Sequence, residues 1–181
     1  MADKTGKKKR RRRSYLADFT KDATGNYRYT GTVYKFDGGD DERRRLFVTL
    51  GALTVLSVAL ATAQEFLPGT KMNNTFYVIL PWLFQFLSSI TVTWAYVRTA
   101  YGGANLREYI YKASAKKLSA ATAILAGACF ATVLAEIIFI CINGIGQQAW
   151  AVILRPSLSL VNGIVSVLLH LLVKRNLRYR K

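Results

Sequence analysis

The fold is decided by residues 46–66, which read LFVTLGALTVLSVALATAQEF. As an α-helix this run is about 30 Å long, which is enough to cross a bilayer. Pro68 and Gly69 follow the run and end the helix. The run begins far from Met1 and has no small-residue cleavage pattern, so we expect it to stay in the mature chain rather than to act as a signal peptide.

Three further apolar runs follow, at residues 76–97, 118–142 and 150–173. Pro81 lies in the first turns of the second run, where a missing amide proton is tolerated. Arg155 interrupts the fourth run, so its helix begins either near Trp150 or at Pro156. Long apolar runs that alternate with short basic clusters exclude a soluble globular domain. We predict an all-α integral membrane protein, with a four-helix transmembrane bundle over residues 46–173.

Basic residues are concentrated on one side of the four predicted spans. The 181 residues include 26 Lys and Arg against 10 Asp and Glu, a net charge of +16. Twenty-four of the cations fall on the side that holds both termini and the loop 98–117, which leaves Lys71 and Arg155 for the other side. The positive-inside rule therefore predicts an N-in/C-in, multi-pass protein of the plasma (inner) membrane with both termini in the cytoplasm.

Residues 1–13 form a basic tail with seven consecutive cations. A run of like charges repels itself, so we predict that this tail is disordered. Next to a membrane, the run favours the anionic headgroups of the cytoplasmic leaflet, at about 1 kcal/mol per Lys or Arg. A topology signal is the simpler alternative, and nucleic acid is the least favoured partner, because a cation run is a weak motif. The predicted headgroup-binding residues are Lys7, Lys8, Lys9, Arg10, Arg11, Arg12 and Arg13.

Residues 14–45 form a cytoplasmic juxtamembrane segment that is polar but rich in aromatic side chains. Residues 26–29 alternate like a strand, and we predict that they pair with residues 33–36 in a short hairpin. An isolated hairpin is marginal in water, so the membrane, the bundle or another protein must hold it. The segment is therefore either a docking element for a partner or a linker whose aromatic rings rest in the headgroup layer.

The other two segments on this side are the loop at residues 101–117 and the basic tail at residues 174–181. In the loop, Leu106, Ile110 and Ala113 recur at intervals of three and four residues. This spacing predicts an interfacial helix or an extension of the second span. It gives no indication of a chemical role.

The third span carries a stripe of small residues at four-residue spacing. Small side chains let two helix backbones approach closely, so we predict a helix-packing seam. The neighbouring helix belongs either to the same chain or to a second copy in a homo-oligomer. The residues of the stripe are Ser119, Ala123, Gly127, Ala131 and Ala135.

The fourth span carries a polar face, with Arg155, Ser159, Asn162, Ser166 and His170 at intervals of three or four residues. Lipid does not tolerate such a face, so we expect it to point into the bundle. Two explanations fit this polar interior. Interhelical hydrogen bonds serve as packing contacts at about 0.6 kcal/mol each, or the faces line a cavity for water or a ligand. Matching polar residues on the other spans include Ser57, Gln64, Gln85 and Thr132.

Glu136 is the acidic residue that lies well inside a predicted span, and Arg155 is its natural partner. A buried ion pair that fixes how the third and fourth spans meet is slightly favoured over a functional carboxylate. Gln85 and Asn162 are further candidates for the same intramembrane polar site. His170 lies near the cytoplasmic end and reaches Glu136 only through intermediates, so we expect it to be an interfacial residue.

The sequence contains no motif that names a reaction. It has no nucleophile elbow, metal-ligand spacing or phosphate-binding loop, and Cys129 and Cys141 lie too far apart on one helix to pair. We therefore predict that the protein is not an enzyme and has no cofactor or metal. The favoured function is a partner-binding or scaffold role through the basic, aromatic cytoplasmic surface. The alternative is a small oligomeric transporter or channel centred on Glu136.

Overall fold

Four long helices dominate the computed structural model, which describes residues 18–22, 24–67, 71–146 and 148–180. They are α1 (Asp40–Ala63), α2 (Phe76–Tyr101), α3 (Lys116–Asn143) and α4 (Ala149–Asn176). All four are long and apolar enough to cross a membrane, which confirms the prediction of four such helices. Their outer faces expose large apolar side chains, such as Val55 and Leu134. Contact with lipid explains such a surface better than contact with water.

α1 begins six residues before the predicted span. Its first turn holds three acidic residues, Asp40, Asp41 and Glu42. Negative charge at a helix N-terminus is stabilised by the helix dipole, which explains why the helix extends into this charged stretch. At its other end, α1 passes after Ala63 into the 3-10 turn Gln64–Phe66.

α4 is continuous from Ala149, so it starts at the earlier of the two expected positions. Pro156 lies inside the helix. Arg155 is the seventh residue of α4, which places its backbone about 9 Å inside the helix end.

The four helices pack in a ring, in which α1 and α3 each contact both α2 and α4. We call the end of the bundle that carries the strands the strand end, and the opposite end the loop end. The larger apolar core includes Leu50, Val92, Leu125 and Leu169. A smaller core contains Met72, Val78, Phe139 and Val152.

Two small antiparallel sheets lie at the strand end. In the first sheet, β1 (Phe19–Lys21) pairs with β2 (Tyr27–Tyr29). In the second sheet, β3 (Val33–Phe36) is central, with β4 (Asn105–Arg107) on one side and β5 (Tyr179–Arg180) on the other. The second sheet therefore joins the segment before α1, the loop between α2 and α3, and the segment after α4.

The predicted hairpin is wrong in its pairing, although both of its strands form. β2 pairs back with β1, and β3 pairs with β4 and β5. At the bend between β2 and β3, the Tyr29 hydroxyl donates to the carbonyl oxygen of Thr32 at 3.2 Å and accepts from the amide of Glu108 at 3.2 Å. A central strand with two neighbours is more stable than one strand of an isolated hairpin, which accounts for the observed pairing.

The predicted helix in the loop 101–117 is wrong in its first half. Gly103 has a φ of 69°, which ends α2, and Leu106 is the buried middle residue of β4. Helical structure resumes at Glu108 and continues through the π-helical turn Tyr111–Ala115 into α3. The second half of the loop therefore extends the third predicted span and not the second.

Candidate functional site

The side chain of Arg155 lies at the centre of a polar cluster near the loop end. It is 1% exposed, and its Nε donates to Oε1 of Glu136 at 3.1 Å. Its Nη2 donates to Oε1 of Glu65 at 2.8 Å, and its Nη1 donates to Oδ1 of Asn73. We call these four residues the Arg155 cluster. The charge-assisted hydrogen bonds of the cluster tie α4 to α3 and to the two short turns between α1 and α2.

Glu65 and Asn73 are the members of the cluster that the sequence pattern does not reveal. The 3-10 turn Gln64–Phe66 carries Glu65, and the 3-10 turn Lys71–Asn74 carries Asn73. Glu65 gives little signal, because a charged residue at the edge of an apolar run is ordinary at a membrane interface. Asn73 gives no comparable signal, since asparagine is common in loops.

The two carboxylates of the cluster have different surroundings. Glu136 is fully buried, whereas 37% of the Glu65 side chain is exposed. One guanidinium therefore faces two carboxylates, of which one is shielded from solvent. Oε2 of Glu136 has no hydrogen-bond partner among the described residues.

The polar face of α4 continues from the Arg155 cluster toward the strand end. The hydroxyl of Ser159 donates to Oε1 of Gln64 at 3.0 Å. One turn further, Oδ1 of Asn162 accepts a hydrogen bond of 2.7 Å from the hydroxyl of Ser57. These two contacts join α4 to α1 and the turn that follows it.

The last two members of this face contact α3. Oγ of Ser166 lies 3.7 Å from Sγ of Cys129. Nδ1 of His170 lies 3.0 Å from the carbonyl oxygen of Ser119 and 3.3 Å from Oγ1 of Thr122. His170 therefore belongs to the strand end of the bundle and is not part of the Arg155 cluster. Each of the five polar residues on this face of α4 has a partner elsewhere in the bundle.

Gln85 is fully buried in the interior of the bundle. Both polar atoms of its side chain, and Nδ2 of Asn162, lack a hydrogen-bond partner within the described ranges. One turn from Gln85, Nε1 of Trp82 donates to the carbonyl oxygen of Ala61 at 3.1 Å. Ala61 lies one turn from Ser57, which is the hydrogen-bond partner of Asn162. Gln85 and Asn162 therefore lie at neighbouring depths along the axis of the bundle. Buried polar groups of this kind are commonly satisfied by ordered water.

The predicted packing stripe on α3 faces outward in its middle. Ala123, Gly127 and Ala131 are exposed, whereas Ser119 is half-buried and Ala135 is buried. Of the two alternatives for the neighbouring helix, one in the same chain does not account for the middle of the stripe, and a helix of a second copy stays a prediction. A four-residue spacing drifts by about 40° per step around a helix of 3.6 residues per turn, which turns the stripe away from its neighbours. The buried face of α3 instead includes Thr122, Leu125, Cys129 and Thr132.

The structure shows no metal-ligand cluster in the part of the chain that it describes. It brings no three His, Cys, Asp or Glu side chains of these residues together in a group that could hold an ion. Both cysteines are free thiols, with Cys129 buried and Cys141 exposed.

The five strands lie at the strand end, and we call their exposed side chains the strand surface. Each strand carries one exposed cation and no acidic residue. The guanidinium of Arg107 lies over the rings of Phe19 and Tyr29, at 5.7 Å and 5.4 Å from their centroids. The five cations are Lys21, Arg28, Lys35, Arg107 and Arg180.

The predicted headgroup-binding residues 7–13 lie outside the described residues, so their role stays a prediction.

Comparison of the chain with protein-family models, curated proteins and solved structures found no match.

Proposed function

We propose that the protein is a non-catalytic scaffold or accessory protein of the plasma membrane. It spans the bilayer four times with both termini in the cytoplasm, and it binds a protein partner with an acidic surface at the strand surface. The single exposed cation in each of the five strands is the observation that carries this proposal.

The distribution of basic residues supports this orientation. By sequence, 24 of the 26 cations fall on the side of the four predicted apolar runs that holds both termini. Positive charge is retained on the cytoplasmic side during insertion, so the strand end is assigned to the cytoplasm. Lys71 lies in the turn at the loop end, and Arg155 is occupied by the Arg155 cluster.

The composition of the strand surface supports a protein partner. Tyr27 is 73% exposed, and its neighbour Arg28 on the opposite face of β2 is also exposed. Tyrosine and arginine are the residue types that most often carry the binding energy of protein interfaces. Arg180 is paired with Asp37, and the other four strand cations favour an acidic partner, because complementary charge accelerates and orients association.

The bundle interior supports a structural role for the helices. The polar residues of α4 pair with residues elsewhere in the bundle at each level, from Glu136 near the loop end to Ser119 near the strand end. Such contacts are adequate as helix-packing interactions in a membrane. A scaffold needs no further chemistry inside the bundle.

The proposal is tested by photocrosslinking from Tyr27 in intact cells. A photoreactive phenylalanine derivative at this position should capture a partner with an acidic surface. The triple variant Lys21→Glu, Arg28→Glu, Lys35→Glu should lose this partner, because the reversed charges repel it. The matched control Lys116→Glu, Lys117→Glu, Lys174→Glu changes three exposed cations at the same end outside the strands, and it should retain the partner. Equal capture by both variants would contradict the proposal.

A second candidate function is a small oligomeric transporter or channel with a polar interior centred on Glu136. It is favoured by the unpartnered Oε2 of Glu136 and the unpartnered amide of Gln85, which water or a small ligand would satisfy. The outward stripe around Gly127 offers a surface for a second copy. Ion flux through reconstituted vesicles that disappears with Glu136→Gln, while the variant stays folded, would favour this function over the scaffold.

A further inference from the structure

A cleft of about 660 Å³ opens at the strand end between the start of α1 and the end of α4. Its lining combines two kinds of chemistry. Leu46 is almost fully buried and Leu172 is half-buried, so they form an apolar floor. The remaining lining includes three exposed arginines, Arg45, Arg175 and Arg178.

The cleft lies where the apolar parts of two helices end. Arg45 directly precedes Leu46, the first residue of the apolar run of α1. Arg175 follows the buried Val173 of α4 by two residues. In a bilayer this level corresponds to the boundary between acyl chains and headgroups, where arginine is favoured.

The three arginines of the cleft are not neutralised by the protein. In the described part of the chain, the side chains of Arg45, Arg175 and Arg178 form no ion pair or hydrogen bond. Their neighbours Arg43 and Arg180 do form ion pairs, with Asp40 and Asp37. The cleft therefore carries three positive charges that have no ion-pair partner among the described residues.

One of the two acidic residues of the cleft, Asp37, is held in an ion pair, whereas Glu42 forms none among the described residues. Asp37 accepts from Nε of Arg180 at 2.9 Å. Glu42 lies in the first turn of α1, where the helix dipole stabilises its charge. Its Oε2 lies 2.9 Å from the position that a Cβ on Gly38 would occupy, so the carboxylate folds back toward the residues before the helix. The cleft thus keeps an excess of positive charge.

We propose that this cleft binds one anionic phospholipid. The lipid phosphate is held by Arg45, Arg175 and Arg178, and the glycerol and first acyl carbons lie against Leu46 and Leu172. Arginine binds phosphate oxygens through charge-assisted, often bidentate hydrogen bonds. The volume of the cleft falls in the ordinary range of small-molecule sites, about 300–1,000 Å³. The apolar floor favours a lipid over a free phosphate, because a free phosphate has no apolar part to place against it.

Native mass spectrometry of the full chain in neutral detergent tests this site. Phosphatidylglycerol and phosphatidylcholine are titrated separately, and the first bound lipid is counted. We expect the intact protein to prefer phosphatidylglycerol by about tenfold or more, because each arginine beside an anionic lipid contributes a factor of about five. Equal binding of the two lipids by the intact protein would overturn the proposal without any variant.

Two triple variants locate the binding. In Arg45→Gln, Arg175→Gln, Arg178→Gln, the preference for phosphatidylglycerol should fall by about fivefold or more, because the three charges of the cleft are gone while those of residues 7–13 remain. The control Lys21→Gln, Arg28→Gln, Lys35→Gln removes three exposed cations from the strand surface and should keep the preference. Loss of preference in the control, or its retention in the cleft variant, would overturn the assignment to the cleft.

A competition experiment with soluble phosphates distinguishes a bound lipid from a bound free phosphate. Inorganic phosphate and glycerol phosphate should not displace bound phosphatidylglycerol, since neither contacts the apolar floor. Displacement by these soluble anions at concentrations similar to that of the lipid would assign the site to a soluble phosphate and overturn the lipid. Because the cleft and the strand surface are altered by separate variants, failure of one proposal leaves the other intact.

Discussion

Nε of Arg155 lies 3.1 Å from Oε1 of Glu136, at a place where the first side chain is 1% exposed and the second is fully buried. Neither charge has access to solvent if the other is removed. A charge left alone in such surroundings is far less stable than the pair or than two neutral groups. Glu65 binds the same guanidinium from a half-exposed position, so it differs from Glu136 in its access to water.

Replacing Arg155 is therefore expected to be more damaging than replacing Glu65. Arg155→Met leaves Glu136 buried without its partner and should lower the free energy of unfolding by about 3–5 kcal/mol. Glu65→Gln should cost about 1 kcal/mol or less, because Glu65 is partly exposed and Arg155 keeps Glu136 as its charged partner. Unfolding in mixed detergent micelles measures both values. Equal losses for the two variants would show that burial does not distinguish the two carboxylates.

The hydrogen bond between Ser57 and Asn162 is expected to couple α1 to α4. The single variants Ser57→Ala and Asn162→Ala, together with the double variant, form a double-mutant cycle. We expect a coupling free energy of about 0.6–1.7 kcal/mol, the range found for hydrogen bonds between membrane helices. The same cycle on Ser57 and Ser166, which do not bond to each other, serves as the control and should give a value near zero.

Two glycines are expected to respond in opposite ways to a large side chain. A Cβ on Gly163 would lie 3.5 Å from Cβ of Cys129, so Gly163→Leu forces α3 and α4 apart. Overpacking of this kind should cost about 1–3 kcal/mol of unfolding free energy. A Cβ on Gly127 would contact nothing within 4 Å, and Gly127→Leu should change stability by about 0.5 kcal/mol or less in the monomer. Melting temperatures in detergent distinguish the two cases.

Gly127→Leu also tests whether a second copy packs against the predicted packing stripe of α3. If a second copy packs there, the variant should be a stable monomer where the intact protein is an oligomer. Light scattering with correction for bound detergent measures this mass. An unchanged oligomer would place the contact between copies elsewhere.

Alkaline pH is expected to loosen the second sheet through Tyr179. Burial raises the pKa of Tyr179 from 10.0 to about 12, and Arg43 offsets part of this rise. The folded form therefore holds the phenolic proton more tightly than the unfolded chain. The stability that this group contributes is complete below pH 10 and is lost as the pH rises to about 12.

Tyr179→Phe provides the matching variant. The hydroxyl of Tyr179 is buried without a partner among the described residues, so its removal should leave the sheet as stable as before or slightly more stable at neutral pH. In a titration followed by phenolate absorbance, the variant should lack the tyrosine that ionises last. A last ionisation step that is the same in both proteins would contradict the assigned burial.

The polar face of α4 follows from the sequence because it depends on local periodicity alone. Residues at intervals of three and four share one side of a helix, and the apolar surroundings of the spans require that side to be covered. The partner of Arg155 on α3 is also predictable, since a buried carboxylate is rare in a membrane span. Local patterns in the sequence are therefore sufficient to identify Glu136, Arg155 and Asn162.

The strand pairing does not follow from the sequence, because it depends on residues that are far apart along the chain. Lys35 faces Asn105 in one strand and Arg180 in another. By its pattern of alternating residues alone, β3 would pair with β2, its nearest neighbour along the chain, as well as with β4 or β5. The contacts that decide the outcome, such as the burial of Leu106, appear only once the helices bring the three segments to one end.

Glu65 shows a second limit of local patterns. Its charge lies at the edge of an apolar run, where interfacial residues are ordinary. Only the turn that follows α1 brings it toward the guanidinium of Arg155. The geometry of short turns at the ends of helices is the least predictable part of this site.

The second sheet has a consequence for the order in which the molecule is completed. Its strand β5 follows α4, so the sheet closes only after the last helix has taken its place beside α1 and α3. A chain in which only the first three helices are inserted has β3 and β4. It lacks β5, the strand that pairs with the second edge of β3. A ligand that recognises the complete sheet would therefore discriminate finished molecules from partly inserted ones, and the sheet would act as a checkpoint on assembly.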